Sequence, residues 1–186
     1  MRRYASWRRR TAVILVFLLA GYAGLAGLRL LYPVEYTDRL IAWSREFNLD
    51  PALVAAVVRC ESRFHADAVS PRGAIGLMQI MPETGAWIAD QLDGSGYTVD
   101  QLYDPEVNLW FGTWYLRFLL DRFEQMDDAL AAYNAGPSRV AAWQAEESPR
   151  YPETATYVDR VKRSVTVYRW VLSVPWLVRI TPSLLP

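Results

Sequence analysis

The apolar and polar positions of this chain fall into two regimes. From Ala12 to Leu28 the run carries no charge and is apolar almost throughout, so it has no polar face. After Pro33 the apolar residues recur every three or four positions, the spacing of helices with one buried side. Tyr36 to Phe47 sets Leu40, Ile41, Trp43 and Phe47 at that spacing. Asn48-Leu49-Asp50-Pro51 then supplies a turn, an N-cap at Asp50 and a first-turn proline. A second helix runs from there through Leu53, Val54, Val57 and Val58 to about Arg63. Pro71 and Gly73 make 64–75 a loop, a short helical stretch is expected over Gly76 to Ile80, and Pro82 opens a helix to about Leu92. Asp93-Gly94-Ser95-Gly96 is a turn, and Asp104-Pro105 starts a long helix to about Phe123. Two shorter helices, Asp127 to Asn134 and Pro137 to Gln144, divide at Gly136-Pro137, and Thr154 to about Val171 is the last long one. No segment alternates as a strand between hairpin turns does. The fold class expected is all-α: a domain of about seven helices preceded by one N-terminal transmembrane helix.

The apolar run sharpens when charge is added. Arg2, Arg3, Arg8, Arg9 and Arg10 precede it, and Arg29 interrupts it before Leu30, Leu31 and Tyr32. Its uncharged part is near the lower limit for spanning a bilayer, roughly 17 to 25 residues, and Arg29 can snorkel so that the usable span reaches Tyr32. Tyr4 and Trp7 on one side and Tyr32 and Tyr36 on the other suit the two interfaces. The arginines should stay cytoplasmic, which puts the rest of the chain outside. Residues 1–32 are therefore read as an Arg-rich cytoplasmic end and signal-anchor. Residues 33–174 form one domain, and the apolar, proline-broken tail 175–186 is unassigned. The rival reading is a cleaved signal peptide, since Gly21-Tyr22-Ala23 and Gly24-Leu25-Ala26 each offer the small-x-small pattern that a signal peptidase accepts, and that alternative also exports the domain.

Composition mostly excludes. The formal net charge of the 186 residues is zero, so the chain as a whole has no field that would draw nucleic acid. A single cysteine, Cys60, rules out an internal disulfide and is read as a buried small apolar residue. One histidine and one cysteine cannot make a metal site of the usual kind, so neither metal nor other cofactor is expected.

The candidate chemistry centres on Glu61. It closes an apolar helix directly after Val57, Val58 and Cys60. A carboxyl there tends to be desolvated, which favours the protonated form that a general acid needs near neutral pH. Glu61-Ser62-Arg63-Phe64 is followed by Ser70, then by Gly73-Ala74-Ile75-Gly76-Leu77-Met78-Gln79-Ile80-Met81-Pro82-Glu83-Thr84. Ala131-Ala132-Tyr133-Asn134-Ala135-Gly136 and Glu153-Thr154-Ala155-Thr156-Tyr157-Val158 come farther on. Asp104-Pro105, Asn108, Gly112 and Tyr115-Leu116 lie between them.

In this order and spacing, over roughly residues 36 to 170, the segments resemble the catalytic domain of the soluble-lytic-transglycosylase family, which has a lysozyme-like fold. The resemblance implies that residues 33–174 are a peptidoglycan-cleaving domain, that Glu61 is the catalytic residue, and that Ser70 stands near it and the sugar. It further implies that Gln79 is a polar substrate contact, that Met78 and Met81 wall the cleft, and that Tyr133 faces the cleft with Asn134 beside it. Tyr157 follows the last motif as a substrate-binding position. Glu153 is left between an assisting and a structural role. Taken singly, the methionines, Tyr133 and the glycines Gly73, Gly76 and Gly136 have core or turn roles as alternatives.

Ordinary glycosidases place two carboxylates about 5 Å apart or roughly 6.5–9.5 Å apart. Asp67, Glu83 and Glu153 are not obvious partners for Glu61. The resemblance implies a reaction that needs one carboxyl: cleavage of the bond between N-acetylmuramic acid and N-acetylglucosamine with a 1,6-anhydro end. The rivals are a muramidase of the same fold, goose-type lysozyme-like, and a non-catalytic wall-binding or scaffold module. The partners expected are peptidoglycan glycan strands and, through the N-terminal helix, the membrane.

Overall fold

Proline at the first helical position recurs through the domain. It costs no hydrogen bond there, because the first-turn N–H groups have no partner inside the helix. A computed structural model of the chain describes residues 2–92, 96–148 and 151–174, with the backbone alone for 2–11 and 29. The chain divides into two compact units, one ending at Pro33 and one beginning at Val34.

The first unit is a single helix, α1 (Arg2–Leu31). Its apolar side chains from Val13 to Leu19, together with Tyr22, Leu30 and Leu31, are exposed. Among the described residues no helix is long and apolar enough to cross a membrane.

The second unit holds α2 (Thr37–Glu46), α3 (Pro51–Glu61), α4 (Pro82–Gln91), α5 (Pro105–Arg122), α6 (Met126–Ala135), α7 (Pro137–Ala145) and α8 (Pro152–Ser173). A 3₁₀ turn, Val99–Tyr103, precedes α5. The sequence reading passed over this turn, although Gln101 Oε1 accepts from the Thr98 N–H at 2.9 Å as a local cap. Asp50 and Asp104 cap α3 and α5, accepting from the N–H groups of Ala52 at 2.9 Å and Glu106 at 2.7 Å. The tail 175–186 lies outside the described residues.

The core forms around α3, whose residues from Ala52 through Val58 are all buried. Along α8 the buried positions are Thr154, Tyr157, Val158, Val161, Ser164, Val165, Tyr168 and Val171, a three-four stripe that packs on α3. Leu109, Leu116 and Leu119 of α5 are fully buried. Cys60 departs from expectation: it is half-buried rather than buried, because it lies beyond the enclosed part of the helix.

One expected element is replaced. Gly76–Ile80 is a tight reversal, not a helical stretch. The Ile75 N–H donates to the Ile80 carbonyl at 2.9 Å and the Ile80 N–H returns to Ile75 at 3.0 Å. Gly76 and Gln79 have φ of 81° and 50°, which no right-handed helix accommodates. Asn108 of α5 fixes this shape. Its amide NH₂ donates to the carbonyls of Ile75 at 2.9 Å and Leu102 at 2.7 Å, and its Oδ1 accepts from the Met78 N–H at 2.7 Å. The fit is close enough that a Cβ on Gly76 would collide with the Asn108 amide, and one on Gly112 with the Met78 side chain.

Candidate active site

Glu61 is the last residue of α3, and the chain turns back immediately after it. Arg63 and Phe64 both sit in the left-handed region, at φ 54° and 68°. Such residues persist where the surroundings over-determine them. Here the Ser62 hydroxyl donates to the Leu77 carbonyl at 2.8 Å, tying the turn to the reversal at 76–80. Phe64 is buried with its ring 6.2 Å from that of Tyr168. The acid is thus held at a helix end between two pinned loops.

A cleft of about 420 Å³ opens in front of it. Glu61, Ser70, Gln79, Met81, Tyr133 and Asn134 all line this cleft. Six of the eight expected site residues are therefore brought together. Met78 is not on the wall: it is fully buried, with its carbonyl accepting from the Tyr133 hydroxyl at 2.9 Å. Tyr157 and Glu153 do not line the cleft either. Glu153 is exposed in the first turn of α8, while Tyr157 is 2% exposed and approaches Glu61 from the core side.

That approach defines the acid. The Tyr157 hydroxyl donates to Glu61 Oε1 at 2.6 Å. Burial pushes the Glu61 carboxyl up from 4.5 to about 7, against the opposing pull of the Tyr157 hydrogen bond and the Arg160 guanidinium. The negative end of the α3 dipole works in the same direction as burial. The group therefore holds its proton over much of the neutral range and can also release it. With Oε1 occupied by Tyr157, Oε2 is the oxygen left to carry the proton. Tyr133 and Tyr157 are themselves held far above the usual phenol range, by burial first and by the nearby Glu61 charge second. Both stay neutral hydrogen-bond donors.

Two further expected residues have their polar atoms partly committed. The Ser70 oxygen accepts from the N–H groups of Ala74 at 3.0 Å and Arg72 at 3.3 Å, leaving its own proton to donate. The Gln79 NH₂ donates to the carbonyls of Gly76 at 2.9 Å and Ala68 at 3.1 Å, leaving its Oε1 as the acceptor it can offer a sugar hydroxyl.

Among the described residues lining the cleft, Glu61 is the single carboxylate. Asp67, Glu83 and Glu153 are all exposed and outside it. Sequence reasoning gave no cleft role to Arg72, Thr84 or Tyr115, which also line it. Thr84 ends the Met-Gln-Ile-Met-Pro-Glu-Thr segment and Tyr115 belongs to the Tyr115-Leu116 pair of α5, so both carry a sequence signal. Arg72 follows Pro71 in a loop and carried none. Among the described residues no group of three or more His, Cys, Asp or Glu could hold a metal ion.

Residues 38–154 match the family model described as transglycosylase SLT domain. The chain is 32% identical over 154 residues to the soluble lytic murein transglycosylase of Escherichia coli strain K12, covering 76% of this chain and 24% of that protein. It is 34% identical over 116 residues to the membrane-bound lytic murein transglycosylase C of Glaesserella parasuis, covering 57% of this chain and 32% of that one. The crystal structure of an inactive mutant of the lytic transglycosylase Slt from Pseudomonas aeruginosa superposes with a TM-score of 0.73 at 30% identity, over 78% of this chain and 26% of that chain. The chain thus spans about a quarter of the length of the soluble relative.

Proposed function

Since the chain belongs to the transglycosylase SLT domain family, we propose that it is a peptidoglycan lytic transglycosylase in which Glu61 serves as both acid and base. The observation that carries this is that Glu61 is the single carboxyl among the described residues lining the cleft, with its proton held up to about 7 by burial. A hydrolase with two carboxylates divides the acid and base roles between them. One carboxyl suffices when the nucleophile belongs to the substrate.

The steps balance on that basis. Protonated Glu61 gives its proton to the oxygen between N-acetylmuramic acid and N-acetylglucosamine, and the bond from that oxygen to the muramic C1 breaks. The muramic C6 hydroxyl bonds to C1, and its proton passes to the Glu61 carboxylate. The acid is regenerated, a 1,6-anhydro ring closes the muramic end, and no water is consumed. Tyr157 orients Glu61 through Oε1. Ser70, Gln79, Met81, Tyr133 and Asn134 hold the sugars along the cleft, and Glu153 keeps a structural place at the start of α8.

Digestion of purified sacculi followed by mass spectrometry of the muropeptides tests the proposal. Anhydro-muramic ends are expected. Reducing ends would make the chain a muramidase, and intact sacculi would make it a binding module.

The substrate lies outside the cytoplasm, and residues 33–174 are assigned to act there. We assign α1 to holding them at the membrane. Support comes from five arginines at the start of α1, ahead of an apolar stretch whose side chains are exposed. A relative named membrane-bound adds to it. Retention in the pellet after carbonate extraction is expected. A released chain beginning near residue 24 or 27 would show cleavage instead.

A further inference from the structure

Helices α4 and α5 continue past the cleft with an aromatic face that the reaction does not use. Thr84 and Tyr115 line the cleft. One turn farther along the same helix faces come Trp87 and Phe118, since residues three apart share a side. The Trp87 ring stands 6.1 Å from Tyr115 and 5.0 Å from Phe118, both near edge-on, and 5.6 Å from Trp114. Phe118 is stacked with Tyr115 at 12° and with Trp114 at 11°. Tyr133, on the cleft wall, meets Tyr115 at 5.6 Å. Ring contacts therefore run unbroken from beside Glu61 to Trp87 on the surface, where Trp87 remains 36% exposed.

We infer that Trp87, backed by Trp114, Tyr115 and Phe118, is a second sugar-binding platform that holds the glycan strand beyond the bond being cut. The inference rests on the function proposed above. A pyranose ring presents an apolar C–H face edged by hydroxyls, and an indole offers a flat apolar face with one N–H donor. Large aromatic side chains left open beside a cleft mark binding surfaces. Continuity with the cleft selects the occupant, because a polymer longer than the cleft must leave it over a rim. Charge does not favour an anionic lipid surface: α4 contains no basic residue, Glu83 and Asp90 flank Trp87 as exposed acids, and Arg117 beside Phe118 on α5 is paired with Asp121. The Phe118, Tyr115 and Trp114 rings pack against the indole and restrict its rotamers before a sugar arrives.

The experiment measures binding of two peptidoglycan fragments to the full chain carrying Glu61→Gln, so that nothing is cut. One is a purified tetrasaccharide muropeptide and the other a long peptide-free glycan strand. Adding Trp87→Ala should lower affinity for the long strand about tenfold, the loss expected when roughly half an indole face stays wet. The short fragment should be bound as before, and Trp87→Phe should recover most of the long-strand affinity. The ratio of the two affinities is insensitive to the fraction of chain folded. An unchanged ratio, or equal losses for both fragments, overturns the platform while the wild-type chain still yields anhydro ends. Loss of binding instead to anionic vesicles or to a protein partner, with the ratio unchanged, also overturns it. If the wild-type chain yields no anhydro ends and Glu61→Gln binds neither fragment, the underlying function has failed and the platform falls with it.

Discussion

Replacing Glu61 by glutamine should disable the protein and stabilise it together, and the structure sets the size of both effects. The carboxyl titrates near 4.5 when solvated and at about 7 in the fold. Between those values the unfolded chain has released its proton while the folded chain keeps it, so the unfolded state binds fewer protons and stability falls as pH rises. At about 1.4 kcal/mol per pH unit, the folded state gives up about 3 kcal/mol by the time the pH has passed 7. The glutamine side chain of the Glu61→Gln variant cannot ionise and escapes this penalty. Its amide oxygen still accepts the Tyr157 hydrogen bond, so the geometry that holds the side chain survives. At pH 4, where both side chains are neutral, the two proteins should melt within a few degrees of each other. At pH 8 the variant should melt about 6–12 °C higher, taking about 2–4 °C per kcal/mol for a domain of this size. Activity should move the opposite way, with anhydro-muropeptide yield falling at least about 10²–10⁴-fold, because one group does both proton transfers. The assay is thermal melting by circular dichroism from pH 4 to pH 8, alongside sacculus digestion. A stability gap that stays constant across that range, or a variant that melts lower at pH 8, would refute the burial argument. A folded variant keeping more than about a tenth of wild-type rate, well short of that loss, would refute the role in catalysis.

Four further outcomes follow from the contacts around the site. Wild-type activity should decline as pH rises through about 7, because the protonated acid starts the reaction. Tyr157→Phe should shift that decline to higher pH, since the lost hydrogen bond favoured the carboxylate, and should lower the rate at every pH by loosening the acid; an unmoved pH profile would make Tyr157 packing only. Asn108→Ala removes the partner of the Leu102 carbonyl and the Met78 N–H and one of the two donors to the Ile75 carbonyl, at a loss of about 2–4 kcal/mol read by denaturant melting. Gln79→Ala and Tyr133→Phe should raise the substrate concentration needed for half-maximal turbidity loss while leaving the melting curve within about 1 kcal/mol, and a large drop in stability with normal activity would return both to the core.

Most of the helical frame was legible because its boundaries are written locally. Asp50-Pro51 and Asp104-Pro105 each join a cap to a first-turn proline, and the buried stripe of α8 repeats at helical spacing in the sequence itself. The segment 76–80 was misread for the opposite reason. Its apolar residues suit a helix, and Gln79 gives no warning of positive φ. The shape is imposed by Asn108, about thirty positions on, so nothing inside the segment reveals it. Glu61 and its cleft neighbours could be found because each lies in a compact motif. The place of Tyr157 could not, since a motif records that a residue is present but not the side from which it approaches.

The chemistry is therefore more distributed than the motif that signals it. A carboxyl at the end of α3 would be an ordinary solvated acid if the chain around it were removed. What raises its titration point is burial by the rest of the fold, and what restrains that rise is one phenol and one guanidinium, both carried by α8 some hundred residues later. Tyr157 and Arg160 sit three apart on that helix, with the guanidinium 5.9 Å from the centre of the Tyr157 ring, so a single helix face delivers both opposing contributions. The balance is what the proposed reaction requires. Burial without the opposing pair would hold the proton too tightly to release it to a leaving group, and the pair without burial would leave the group ionised at neutral pH with no proton to give. The packing of α8 along α3 is thus part of the proposed active site, although no residue of α8 lines the cleft.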